Sequence, residues 1–120
     1  KNVEVILLGG RYNRKTTIFE QTQLTESFWN SRTRKAFLSA GGVHEKLGVT
    51  CANQSECMVK KAAIDSTADS YLLVDSTKFG HVHSCFFARD EDFGHIITNA
   101  DTPQAYVKLL GDKGIPVHYV

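Results

Sequence analysis

The sequence predicts an α/β fold, a layered sandwich around a mainly parallel sheet. Three observations predict it. Short apolar runs recur along the 120 residues, most of them stopped by glycine or a polar turn. The runs are continuously apolar rather than alternating, as in strands buried on both faces. Segments with helical spacing separate them, the alternation that gives parallel strands with crossover helices.

The elements follow in order. Residues 3–8 (Val-Glu-Val-Ile-Leu-Leu), closed by Gly9-Gly10, read as a buried strand. Residues 19–30 carry Phe19, Leu24, Phe28 and Trp29 near helical spacing, with Phe28-Trp29 expected in a core or an interface. Residues 35–40 predict a second buried strand ended by Gly41-Gly42, and 43–52 a loop. Residues 54–68 predict a helix with Asn53 as its cap, Glu56 three positions on, and a packed face of Met58, Val59, Ala62 and Ala63. Residues 70–75, 82–87 and 95–99 predict strands. Thr102-Pro103 opens another helix, with Pro at its first position. Lys113-Gly114 ends that helix, and 115–120 form a last strand. Nothing repeats and nothing reads as a linker, so 1–120 is expected to be one domain or a large piece of one.

Composition narrows the function classes. Hydrophobic residues at 42% and charged residues at 22% suit a globular core. With 14 basic and 13 acidic side chains the net charge is +1, without the basic surplus of a free-standing nucleic-acid binder. The Arg32, Arg34, Lys35 group reads as a solvated helix end. No apolar run reaches membrane-spanning length. The chain enters an apolar run at once, with neither Met nor signal peptide, and reads as an excised part of a longer protein. Cys51, Cys57 and Cys85, an odd set without C-x-x-C, predict reduced thiols in a cytoplasmic protein and no zinc site.

In open parallel sheets, ligands sit outside the carboxyl ends of the strands. The candidate residues are therefore those that follow each apolar run. Asp75 and Lys78 bring opposite charges to one strand end. Lys78 suits a phosphate or polyol oxygen and Asp75 suits hydroxyls, at roughly 1.5–3 kcal/mol per well-placed charged hydrogen bond. A plain turn with a solvated lysine explains the same residues. Glu56 and Lys60 share a helix face at i and i+4, and read either as a surface pair or as a site carboxylate with its neighbour. The helix start at Asn53 offers free N–H groups to an anion. Gly41-Gly42 permit close backbone approach, to a ligand or to another segment. His81-x-His83 lacks a third ligand and predicts a rim position, with no metal and no cofactor.

The strings themselves add a resemblance. Val5-Ile6-Leu7-Leu8-Gly9-Gly10, Ala36-Phe37-Leu38-Ser39-Ala40-Gly41-Gly42-Val43-His44, Gly48-Val49-Thr50, Glu56-Cys57-Met58-Val59-Lys60-Lys61-Ala62, Val74-Asp75-Ser76-Thr77-Lys78-Phe79-Gly80 and His95-Ile96-Ile97-Thr98-Asn99 resemble, in order and spacing, the sensor domain of DeoR-type transcriptional repressors. The likeness runs from residue 3 to 120. The 39–44 and 48–53 strings are most similar to the deoxyribose branch of that family. The resemblance implies a fold similar to the ribose-5-phosphate isomerase/CoA-transferase group and a phosphorylated sugar as effector, 2-deoxyribose 5-phosphate for that branch. It also implies a homo-oligomer, and operator DNA contacted only through an N-terminal helix-turn-helix upstream. Gly41, Gly42, Glu56, Asp75 and Lys78 fall on the isomerase's substrate positions, with Glu56 at the base and Lys78 at the substrate lysine.

Two departures matter. Ala40, Gly42 and His44 replace the isomerase loop's acidic residues, which weakens catalysis more than binding. The family's glycine/threonine phosphate loop belongs upstream of residue 1. The expectation is thus a non-enzymatic sensor with Gly41, Gly42, Asn53, Glu56, Asp75 and Lys78 as ligand contacts. The alternatives are an isomerase-like enzyme with Glu56 as base, and an oligomerisation module with a vestigial site.

Overall fold

The structure, a computed structural model, describes residues 2–21, 26 and 30–120. It begins with a hairpin of β1 (Arg11–Asn13) and β2 (Ile18–Glu20), turned through Thr17 at φ 59°. There follow β3 (Thr33–Leu38), β4 (Gly42–His44), β5 (Gly48–Cys51), helix α1 (Gln54–Ser66) and β6 (Thr67–Leu73). After a 3-10 turn at Ser76–Lys78 come β7 (Cys85–Ala88), a second 3-10 turn at Asp90–Asp92, β8 (His95–Thr98), helix α2 (Gln104–Asp112) and β9 (Val117–Tyr119).

Four strands form one parallel sheet in the order β3-β6-β8-β9. Each new strand lies beside the previous one, so every crossover of the same hand leaves its helix on the same face. That face carries Leu72, Val74 and Ile96, buried in one cluster with Cys57 of α1 and Leu110 of α2. A second sheet, β4-β5-β7, is antiparallel and shares the cluster through Val43, Val49, Phe87 and Ala88.

Several expectations change. Residues 3–8 form no strand, and Val3, Val5, Ile6, Leu7 and Leu8 stay 60–82% exposed, because no described strand lies beside them. The sheet is buried on one face only. Its other face shows a stacked row of Phe37, Tyr71, His95 and His118, with centroids 4.9, 4.5 and 5.6 Å apart, and Phe37 is 61% exposed. The expected loop at 43–52 is the β4–β5 hairpin, whose short glycine-flanked strands show no apolar run. Of the 19–30 helix, Leu24, Phe28 and Trp29 lie outside the described residues, and Phe19 belongs to β2.

Asn53 does cap α1, but Cys57 and Ala62 are the fully buried side chains, with Met58, Val59 and Ala63 half-buried. Pro103 stands one residue earlier than expected, at the cap of α2. The three-thiol expectation holds for Cys85 alone. Cys51 and Cys57 form a disulfide, their Cα atoms 6.3 Å apart, because β5 ends against the first turn of α1.

Candidate functional site

The parallel strands bring the ends of β3, β6 and β8 to one rim, and with them Ser39, Asp75 and Asn99. Helix α1 runs back from that rim into β6, so its N-terminus sits there too. The Asn53 side chain accepts from the Glu56 N–H at 2.9 Å and from the Ser55 hydroxyl at 2.9 Å. Asn53 therefore closes the helix start and leaves the earlier N–H groups of the first turn to other partners.

One turn on, the Lys60 Nζ donates to the Ser39 carbonyl at 2.6 Å and pairs with Glu56 Oε1 at 2.7 Å. It also lies 5.2 Å from the centre of the Phe87 ring. The pair is mostly shielded, with side chains 11% and 27% exposed, so it is no free surface pair. Beside it opens a cavity of about 250 Å³, walled by Ser39 and Ser55, by Glu56 and Lys60, and by Ile18 to Gln21 of the hairpin. Glu56 is thus the expected site residue that the cavity takes in. The signal for Lys60 was its i, i+4 spacing from Glu56. Nothing in the sequence marked the hairpin as a wall.

Asp75 and Lys78 occupy a separate part of the rim. Asp75 accepts from the Thr77 N–H at 2.9 Å and from the Thr77 hydroxyl, and caps the Ser76–Lys78 turn. Those two hydrogen bonds, and then the Lys78 charge, hold its carboxyl below the ordinary range. Among the described residues the Lys78 ammonium has no hydrogen bond or ion pair. Asn99, at the end of β8, fixes this turn: its Oδ1 accepts from Ser76 N–H at 2.6 Å and its Nδ2 donates to Ser76 Oγ at 3.2 Å. A shallow depression of about 310 Å³ joins Asp75 to Asn99, Leu73, Ile97 and Val120.

Gly41 and Gly42 are explained by packing. A Cβ on Gly42 would run into the His81 carbonyl, and one on Gly41 would lie 2.6 Å from the His83 ring. The 81–83 segment is held there by Gly80 N–H to Val43 O (2.8 Å) and His83 N–H to Thr50 Oγ1 (2.9 Å). That contact ties the glycine strand end to the Lys78 turn. Both histidines are exposed, and no cluster able to hold a metal occurs among the described residues.

Comparison with known proteins bears on the same residues. The family model of the DeoR C-terminal sensor domain matches residues 1–100. The deoxyribose operon repressor of Escherichia coli is 30% identical over 113 residues, 94% of this chain and 45% of that protein. Two Bacillus subtilis proteins, the uncharacterized HTH-type regulator YulB and the HTH-type regulator IolR, are 29% and 28% identical over 98% of the chain. The chain spans a little under half the length of the relatives it matches.

Proposed function

Since this chain belongs to the DeoR C-terminal sensor domain family, we propose that it binds a phosphorylated sugar and so relieves repression by the protein that carries it. The regulators similar to it control transcription, and no helix among its described residues is long and apolar enough to cross a membrane. The effector is a sugar phosphate taken at the strand-end rim, with 2-deoxyribose 5-phosphate first among the sugars to test. Operator DNA is contacted by a helix-turn-helix elsewhere in the protein, and the unit works as a homo-oligomer. On this reading the sheet and its rim belong to the ribose-5-phosphate isomerase/CoA-transferase plan.

The observation that carries the reading is the cavity over the end of β3. It sets a cation, two carboxylates (Glu20 and Glu56) and two serines around a space the size of a small polyol, with Ile18, Phe19 and Val59 as its apolar walls. Lys78, whose ammonium has no hydrogen bond or ion pair among the described residues, is the phosphate contact, and the helix start at Asn53 adds N–H donors. Asp75 and Glu56 take hydroxyls, and Gly41-Gly42 shape the rim between them. Glu56 spends its charge on Lys60 at 2.7 Å, which favours binding over proton abstraction. Coupling of about 1–3 kcal/mol between sugar and operator suffices for regulation.

The test is thermal stability of the full-length protein against a panel of pentose and hexose phosphates. Ligand at about 100 times its Kd adds about 2.7 kcal/mol. A selective rise with one sugar phosphate identifies the effector. No rise with any leaves the oligomerisation module as the better account. Isomerisation abolished by Glu56→Gln would establish the enzyme instead.

A further inference from the structure

We infer that Cys51 and Cys57 form a reversible thiol–disulfide pair that governs how firmly the start of α1 is held. Both residues are 1% exposed, one the last residue of β5 and the other in the first turn of α1. The bond between them encloses the capping residue Asn53 and the carboxylate Glu56. The surroundings also serve the open form. Cys57 Sγ has the Cys85 carbonyl at 3.2 Å as acceptor, and Cys51 Sγ has the Asn53 carbonyl at 3.7 Å. A bonded sulfur carries no hydrogen to donate, so these two sulfur–carbonyl contacts become hydrogen bonds only when the pair is reduced to thiols. Neither oxidation state leaves a buried polar group stranded, and the site is compatible with both.

A small-molecule thiol of the glutathione class completes the chemistry. When the start of α1 opens transiently and exposes the buried bond, the thiolate attacks Cys57 Sγ. The Cys51–Cys57 bond breaks, and Cys51 leaves as thiolate and takes a proton from water. A second small thiol attacks the sulfur of the first, forming the small-molecule disulfide and releasing Cys57. Two electrons pass to the protein pair, and the oxidised small disulfide reverses each step. In a reducing cell interior, disulfides that do form are mostly transient or sensing ones.

Opening the bond removes the tie between β5 and α1. The Glu56 and Cys57 N–H groups, which donate to Asn53 Oδ1 and Asn53 O, then exchange with solvent faster. The consequence for effector affinity rests on the sugar-phosphate reading above.

Trypsin cuts after Lys46 and Lys60, giving one peptide that holds both cysteines and excludes Cys85. The full-length protein is equilibrated in glutathione buffers from reduced to oxidised, acid-quenched and alkylated. The peptide should pass in one step from two alkyl groups to none, with the loss of two hydrogens. Hydrogen exchange at Glu56 and Cys57 should quicken at least tenfold in the reduced form, and Cys51→Ser should show the quick rate in every buffer. Two alkyl groups at every ratio, a bond at every ratio, or equal exchange rates would each overturn the proposal. Affinity for 2-deoxyribose 5-phosphate should fall severalfold on reduction. Equal affinity overturns the coupling to effector. Binding in neither form overturns the sugar-phosphate reading, while the peptide masses still decide the redox pair.

Discussion

Asp90 has its carboxylate largely buried, and Lys113 from the end of α2 reaches both its oxygens at 2.9 and 2.8 Å. Burial pushes the Asp90 carboxyl up, with Lys113 pulling it back. The neighbouring Glu91 is held at about 2, by its hydrogen bond with Asp90 first. The signs are opposite. The depressed Glu91 contributes stability above the ordinary glutamate range and loses it as pH falls toward 2. The raised Asp90 contributes below the ordinary aspartate range, and that contribution is lost as pH rises through its folded value. Lys113→Ala leaves Asp90 alone with its desolvation. It should cost about 1–3 kcal/mol at neutral pH, and less at pH 4, because the raised Asp90 carboxyl takes up its proton earlier than an ordinary aspartate as pH falls. Urea titrations at the two pH values check this. At the rim, Lys78→Ala should weaken sugar-phosphate binding roughly ten- to hundredfold, the loss of one charged hydrogen bond. Calorimetry with the sugar phosphate that the stability panel identifies reads it, and an unchanged affinity removes Lys78 from the site. The sequence reading placed both Asp75 and Lys78 in the site; the structure keeps them together on one turn, apart from the cavity beside Glu56 and Lys60. Thr77, which binds Asp75 locally, is an ordinary turn residue in the string, and only coordinates show where its hydroxyl goes.

Among the elements, α1 was legible because its start has a physical signature, a capping side chain three residues before an acid. Asn53→Ala removes the acceptor for the Glu56 N–H and should cost about 1 kcal/mol, seen as a lower urea midpoint with an unchanged slope. The β4–β5 hairpin was not legible. Its strands are three and four residues long, and their burial comes from β7, more than thirty positions away in sequence. The role of Gly42 was legible as closeness, to a ligand or to another segment, and in the structure the approaching group is the His81 backbone. Gly42→Ala must push that backbone away. It should destabilise the protein by about 1–3 kcal/mol through overpacking, measured by the same titration. Equal stability would return Gly42 to the role of ligand contact.

At the scale of the molecule, periodicity announced the parallel strands, since a buried strand needs apolar side chains wherever it lies. It could not announce that one face stays open, because an apolar run reads the same whether or not a neighbour arrives. Residues 3–8 make the point: their composition is that of a buried strand, and they lie in solvent. The open face, with Phe37 at its edge and Tyr71 and His95 stacked behind, is an apolar patch of the kind that drives association. The 120-residue chain should therefore self-associate as concentration rises, and Phe37→Lys should reduce this. Sedimentation velocity across a concentration series measures both. A chain that stays monomeric throughout would show that the face tolerates water.

The strand order β3-β6-β8-β9 also sets a timetable. β8 and β9 are joined through one short helix, and β6 reaches β8 with about twenty residues between them, so these closures cost little loop entropy. β3 reaches β6 across a hairpin and a thirteen-residue helix, the longest of the three connections. Pairings that span more chain form more slowly. By this ordering the carboxyl-terminal strands should pair first and β3 last, so the rim over β3, with the cavity beside Lys60, should be the later part to form.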